Sequence, residues 1–181
     1  ARSGLGSSSA FTVSLIAAIY RFKSLPINPH EIGRIAVYLE QNVIKDKVGS
    51  QDQIAAAIGG FNKIEFGQDK SITTHPIVLE EKDMKLFFES FFLIYTKQLR
   101  FANDVTVDQI EKTKSGSLDK SLEKMKTLVY EAENYIKNKE FDDFGSLLDT
   151  SWRIKRSLTS HISNHQIDEI YRIGIDSGAL G

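Results

Sequence analysis

The segment Ser3-Gly4-Leu5-Gly6-Ser7-Ser8-Ser9-Ala10 runs without a break into the apolar stretch Phe11 to Phe22, and this junction constrains the fold more than any other part of the chain. Glycines let a backbone turn sharply and come close to a ligand. The helix that follows offers unpaired N–H groups and the positive end of its macrodipole, so Gly4, Leu5, Gly6, Ser7, Ser8 and Ser9 form a candidate anion cradle. No lysine precedes the serines, which excludes a Walker A loop. A tight turn with a serine cap is the competing reading. The helix itself is apolar nearly all round (Phe11, Val13, Leu15, Ile16, Ala17, Ala18, Ile19, Phe22), which predicts a central, buried position.

With 181 residues, 41% of them hydrophobic, the chain can bury a sizeable core in one or two domains. A net charge of −1 argues against a nucleic-acid or anionic-membrane partner. No run approaches the ~18 apolar residues of a membrane span. The absence of cysteine rules out disulfides and thiolate metal sites and fits a cytoplasmic location. A start inside a loop and a finish at Ser177-Gly178-Ala179-Leu180-Gly181 suggest an internal piece of a longer protein.

Leu25-Pro26-Ile27 ends the first helix, and Asn28-Pro29-His30-Glu31 starts a second with a cap, a proline at the first position and an acid at the third. This helix should run to about Val43 with Ile32, Ile35, Ala36, Leu39 and Val43 inward. Ser50-Gln51-Asp52-Gln53 has capping-box spacing and opens a short helix, Ile54 to Ile58, ended by Gly59-Gly60. Phe61 to Phe66 and Ile72 to Leu79 are strand candidates, Pro76 marking the latter as an edge. Further on, Asp83 to Glu89 suggests a helix and Phe91 to Tyr95 a buried strand. Helices are expected over Asn103 to Lys112, Leu118 to Asn138, Phe141 to Leu158 and Gln166 to Ile175. A change of character near Glu80 suggests two domains, 1–80 and 81–181.

Asp52 lies in a first helical turn, where a carboxylate is stabilised and could face a substrate hydroxyl as a base. It could equally serve only the helix start. At about 100° per residue, Glu40 flanks the apolar stripe, where it either reaches water or meets a cation. Mg²⁺ takes one or two carboxylates plus phosphates, so Ser8 and Glu40 could complete such a site. His161 and His165 are split by a cap-like Ser163-Asn164, which argues against a metal pair, and His30 and His75 read as structural or exposed. Arg100, Lys155 and Arg156 are candidate holders of a substrate phosphate, or else surface cations.

Taken together, Ser3 to Ala10 and Gly49-Ser-Gln-Asp-Gln-Ile-Ala-Ala-Ala-Ile-Gly-Gly-Phe-Asn62 resemble the GHMP small-molecule kinase superfamily. Within it the chain is most similar to the D-glycero-D-manno-heptose 7-phosphate kinases. Tyr95-Thr96, Arg100-Phe101-Ala102, Trp152, Lys155-Arg156-Ser157-Leu158 and Gly178-Ala179-Leu180-Gly181 extend the likeness along nearly the whole chain.

The resemblance implies an α+β, helix-rich, two-lobed kinase fold, here incomplete: one lobe like the second domain of ribosomal protein S5, the other ferredoxin-like. It implies ATP and Mg²⁺ as cofactors, with residues 4–9 around the nucleotide phosphates and Ser8 and Glu40 at the metal. Asp52 would face the acceptor hydroxyl, and Gly59, Gly60 and Asn62 would lie near the sugar. The implied partners are ATP and a sugar phosphate, without nucleic acid or membrane; a homodimer is compatible with the sequence. Other acceptors (fucose, galactose, mevalonate) and a non-catalytic ligand-binding relative are the alternatives. The chain departs from the family pattern at Arg2, where a glycine is usual, and at Lys97, which replaces an expected glycine. The family's first and last motifs are absent, so the chain alone should be a poor enzyme.

Overall fold

A computed structural model describes residues 5–96, 110–160 and 162–181. The described residues up to Pro76 form one compact unit and those from Ile77 onward a second.

The first unit is built on three helices. The first, α1 (Ser7–Phe22), has Gly6 as its N-cap in the left-handed region, φ 67°. The second, α2 (Pro29–Tyr38), starts where the sequence predicts it: Asn28 accepts hydrogen bonds from the backbone N–H of His30 (3.0 Å) and Glu31 (3.4 Å). Val13 and Ile16 of α1 pack with Ile32 and Ala36 of α2, joined by Ala57 of α3 (Gln51–Ile58), a helix whose Ile54 is fully buried. At Gly33 a Cβ would lie 2.9 Å from Ile54 Cδ1 and 3.2 Å from Ala57 Cβ. The missing side chain is therefore what lets α2 and α3 approach. A hairpin of β1 (Asn62–Phe66) and β2 (Ile72–Pro76) follows, antiparallel, with Ile64 opposite Thr74.

Two expectations fail here. α1 is not buried all round: Val13 and Ile16 are inside, but Phe11, Leu15, Ile19 and Phe22 are exposed. These four lie on one stripe, and α2 and α3 pack against the other side. The second helix also does not continue as α-helix to Val43. Leu39–Val43 is a π turn, in which the Ile44 N–H reaches the Leu39 carbonyl at 2.9 Å. One extra residue in the turn shifts the facing of everything after it. Val43, expected inward, is 57% exposed, and Glu40, expected at the margin, is 4% exposed.

In the second unit, α5 (Asp119–Asn138) and α6 (Phe141–Leu158) form a helical hairpin turned at Lys139, φ 64°. Lys139 Nζ lies 2.6 Å from Asp83 Oδ2 on α4 (Glu81–Glu89), a pairing that raises the lysine pKa. Phe87 of α4 sits among Phe88, Phe91, Phe141 and Phe144. The last helix, α7 (His165–Asp176), is capped by Asn164, which accepts from Ile167 N at 3.0 Å. That cap confirms the break predicted before His165; His161 lies outside the described residues.

The buried strand expected over Phe91 to Tyr95 is not formed. The segment has no regular structure, and its side chains are exposed, Phe92 by 91%. A strand needs a hydrogen-bonded neighbour, and among the described residues the sheet consists of β1 and β2 alone. The helix expected over Asn103 to Lys112 falls mostly outside the described residues.

Candidate active site

Gly6 leads into the three serines that begin α1, and its carbonyl accepts the Ala10 N–H at 2.9 Å, the first bond of the helix. Among the described residues no side chain caps this helix, and no acid occupies its first turn. Its leading N–H groups are thus open to an anion. Leu5, Ser7 and Ser8 are exposed around them. Gly4 lies outside the described residues.

Asp52, exposed in the first turn of α3, reaches this same place. A Cβ built on Gly6 would stand 3.2 Å from Asp52 Oδ2 and 3.3 Å from its Cγ. A side chain at position 6 would meet both an unfavourable φ and this carboxylate. The juxtaposition sets a carboxylate beside the open end of α1, although the two residues are far apart in sequence.

Glu40 enters from the π turn. Its Oε2 accepts from Ser9 Oγ (3.1 Å) on α1 and from Gln53 Nε2 (2.5 Å) on α3. Its Oε1 is buried without a hydrogen-bond partner among the described residues. An orphaned buried carboxylate oxygen is costly unless something polar completes it. The arrangement fits Mg²⁺, which combines few protein oxygens with substrate phosphates. Among the described residues no group of three or more His, Asp or Glu side chains could hold a metal by itself. It is Ser9, not the exposed Ser8, whose hydroxyl meets Glu40. Ser8 contributes its carbonyl to Thr12 Oγ1 at 3.2 Å.

The capping box expected at Ser50 to Gln53 is not made. Ser50 is the N-cap of α3 but forms no side-chain cap bond. Its hydroxyl and the Val48 carbonyl both accept from Gln41 Nε2, at 3.2 and 3.0 Å. Gln53, the other half of the box, turns to Glu40. Two neighbours in the π turn, Glu40 and Gln41, therefore hold both ends of the α3 first turn that carries Asp52.

Beyond the far end of α3, Gly59 and Gly60 adopt φ 66° and 72°, and Asn62 Nδ2 donates to the Gly59 carbonyl at 2.6 Å. The second unit holds the remaining basic candidates. Lys155 is exposed on α6. Arg156 is engaged with Asp168 Oδ2 at 2.7 Å, and Ser163 Oγ donates to the other oxygen of that carboxylate at 2.6 Å. Arg100 lies outside the described residues.

Sequence reasoning missed Gln53 and the Ser9–Glu40 pairing. One signal was available: Gln53 shares a helical face with Ile54 and Ala57, so a polar residue occupies a core position. It also missed a cluster on α6 and α7, where Tyr171 and Arg153 both bond Asp149 and the Trp152 ring lies 5.8 Å from that of Tyr171. The Tyr171 hydrogen bond, more than Arg153, lowers the Asp149 pKa, against the effect of desolvation. Burial, then Asp149, pushes the Tyr171 hydroxyl up to about 12.

Tyr171→Phe should therefore cost about 1 kcal/mol at neutral pH, measured by urea unfolding. A lowered acid pKa stabilises the fold above its unfolded value and is lost on acidification. A raised tyrosine pKa stabilises below its unfolded value and is lost as pH rises toward the folded one. The difference between the two proteins should thus narrow below about pH 4 and above about pH 10. A difference that stays constant across both limits would remove the pair from the pH dependence of stability.

No helix among the described residues is long and apolar enough to cross a membrane. Residues 1–60 match the GHMP kinases N terminal domain. Over 98% of its length the chain is 36% identical to D-glycero-alpha-D-manno-heptose 7-phosphate kinase of Campylobacter jejuni, of which it covers 52%. It is 22% identical to the bifunctional fucokinase/GDP-fucose pyrophosphorylase of Arabidopsis thaliana, covering 16% of that protein. Among solved structures it is similar to a D-glycero-D-manno-heptose 1-phosphate kinase from Bacteroides thetaiotaomicron (25% identity, TM-score 0.68, 86% of this chain and 45% of the other). A putative sugar kinase from Campylobacter jejuni matches all of this chain and 51% of its own (26% identity, TM-score 0.67). The chain thus spans about half the length of the heptose kinase it matches. The domain match at its beginning and the identity that continues along nearly all of its length make the chain similar to the GHMP kinases.

Proposed function

We propose that this chain supplies the phosphate-binding and base-bearing part of an ATP-dependent sugar kinase acting on a phosphorylated heptose. The acceptor we favour is the C1 hydroxyl of D-glycero-D-manno-heptose 7-phosphate, a step toward surface-polysaccharide precursors. The observation that carries this reading is Asp52 against the backbone of Gly6, at the open end of α1. A triphosphate held by the α1 N–H groups would bring its terminal phosphorus to the carboxylate that receives the hydroxyl proton. When bound, Mg²⁺ neutralises charge on the β- and γ-phosphates. Glu40 and a hydroxyl of the serine turn, at Ser8 or Ser9, would hold it.

Gly59, Gly60 and Asn62 form the turn we assign to the sugar, and Arg100, Lys155 and Arg156 are the cations we assign to its phosphate. The domain reading remains 1–80 for the nucleotide lobe and 81–181 for the second lobe. The 22% identity to a plant fucokinase favours a second reading, the same chemistry on fucose.

An ADP-release assay of the full-length protein across heptose 7-phosphate, fucose, galactose and mevalonate separates these readings. Turnover confined to the heptose phosphate supports the first. Lys155→Ala should then weaken kcat/KM for the phosphorylated sugar about tenfold more than for a neutral one. Equal losses would place the phosphate elsewhere, and no ADP release with any acceptor would leave a ligand-binding relative.

A further inference from the structure

We infer that Gln53 is a positioning residue that orients the Glu40 carboxylate toward a metal ion, a role resting on the kinase reading above. Gln53 is 1% exposed and lies beside the fully buried Ile54. Burying a primary amide is unfavourable unless it is hydrogen-bonded, and a hydrocarbon of similar volume would pack there without that cost. The amide supplies one thing a hydrocarbon cannot, a donor to Glu40. The carboxylate fixes which way the amide points, since it accepts and does not donate, so nitrogen must face it. Gln53 Oε1 is then left buried with no partner, as is Glu40 Oε1.

The two donors to Glu40 converge on a single oxygen. Ser9 Oγ and Gln53 Nε2 both bond Oε2, while Oε1 receives nothing. The terminal torsion of a glutamate is soft and roughly two-fold, so an unsupported carboxylate presents either oxygen. Two donors on one side remove that freedom and leave the other oxygen for an external cation. Groups that brace a metal-binding carboxylate from outside in this way commonly change metal affinity by about 10- to 100-fold. Ser9 alone would leave the carboxylate tethered from α1 but not from α3. Gln53 ties it to the helix that carries Asp52, so base and metal carboxylate share one frame.

The test compares binding of Mn²⁺·ADP with binding of ADP in EDTA, by calorimetry on the full-length protein. Wild type should bind ADP more tightly with the metal, and Glu40→Gln should lose that gain. Gln53→Met, which keeps volume and removes the donor, should lose about 10- to 100-fold of the gain. Its affinity for metal-free ADP and its melting temperature should stay near wild type. Gln53→Asn, which keeps the amide but withdraws it by one methylene, should lose part of the gain and serves if the methionine variant does not fold. An undiminished gain in Gln53→Met overturns the inference and leaves the kinase reading intact. Wild type binding ADP equally well without metal overturns the metal reading of Glu40 and this inference with it. If neither variant folds, Gln53 is a core residue only and the inference is overturned.

Discussion

Asp52→Asn should slow turnover of the full-length protein about 10²- to 10⁴-fold, the range that a positioned general base supplies. Nucleotide binding should be nearly unchanged, because the proposed phosphate contacts are N–H groups of α1 rather than this side chain. The asparagine keeps the size of the aspartate beside Gly6, where even an added Cβ would stand 3.2 Å from the carboxylate, so the turn need not move. Stopped-flow measurement of the chemical step, together with calorimetry of ATP binding, separates the two effects. Unchanged turnover would remove Asp52 from the chemistry. Loss of turnover and of ATP binding together would make it a prop for the serine turn.

The second large effect is expected in the other unit. Phe87 is 3% exposed, and four aromatic rings surround it with centroids 5.0–5.7 Å away. Truncation to alanine should cost about 3–5 kcal/mol, through lost burial and a cavity that neighbouring helices cannot close fully. That is a large share of the ~5–15 kcal/mol that stabilises a typical domain. Trp152 is the sole tryptophan and lies in the same unit, so its fluorescence reports unfolding there in urea. A shift of less than about 1 kcal/mol would mean that the ring cluster repacks around the gap.

Local signals were legible and long-range ones were not. Asn28-Pro29 and Ser163-Asn164 mark their helix starts correctly because cap chemistry is contained within four residues. Ser50 to Gln53 carries the same kind of signal, yet its two polar side chains take distant partners. A buried carboxylate and Gln41 compete for them, and the sequence shows neither encounter. Glu40, expected at the margin of the stripe, is buried instead, since a constant 100° step cannot anticipate a π turn. Phe91 to Tyr95 fails for a different reason. An unbroken apolar run says what a strand would bury, not whether a neighbouring strand is there to bond it.

For the serine turn, the residue types pointed to an anion site, and the uncapped start of α1 is consistent with one. The residue that completes its surroundings, Gln53, carried only the weak mark of a polar side chain on an apolar face.

The widened turn at Leu39–Val43 has a further consequence for how mutations there would behave. Such turns are rare inside helices, so the looser winding persists only while side chains hold it. Deleting one residue from this stretch would let it rewind, swinging position 40 toward solvent and bringing Val43 under cover. Such a shortened protein would gain helical regularity and lose the contacts of Glu40 with Ser9 and Gln53. Local order and competence would then change in opposite directions.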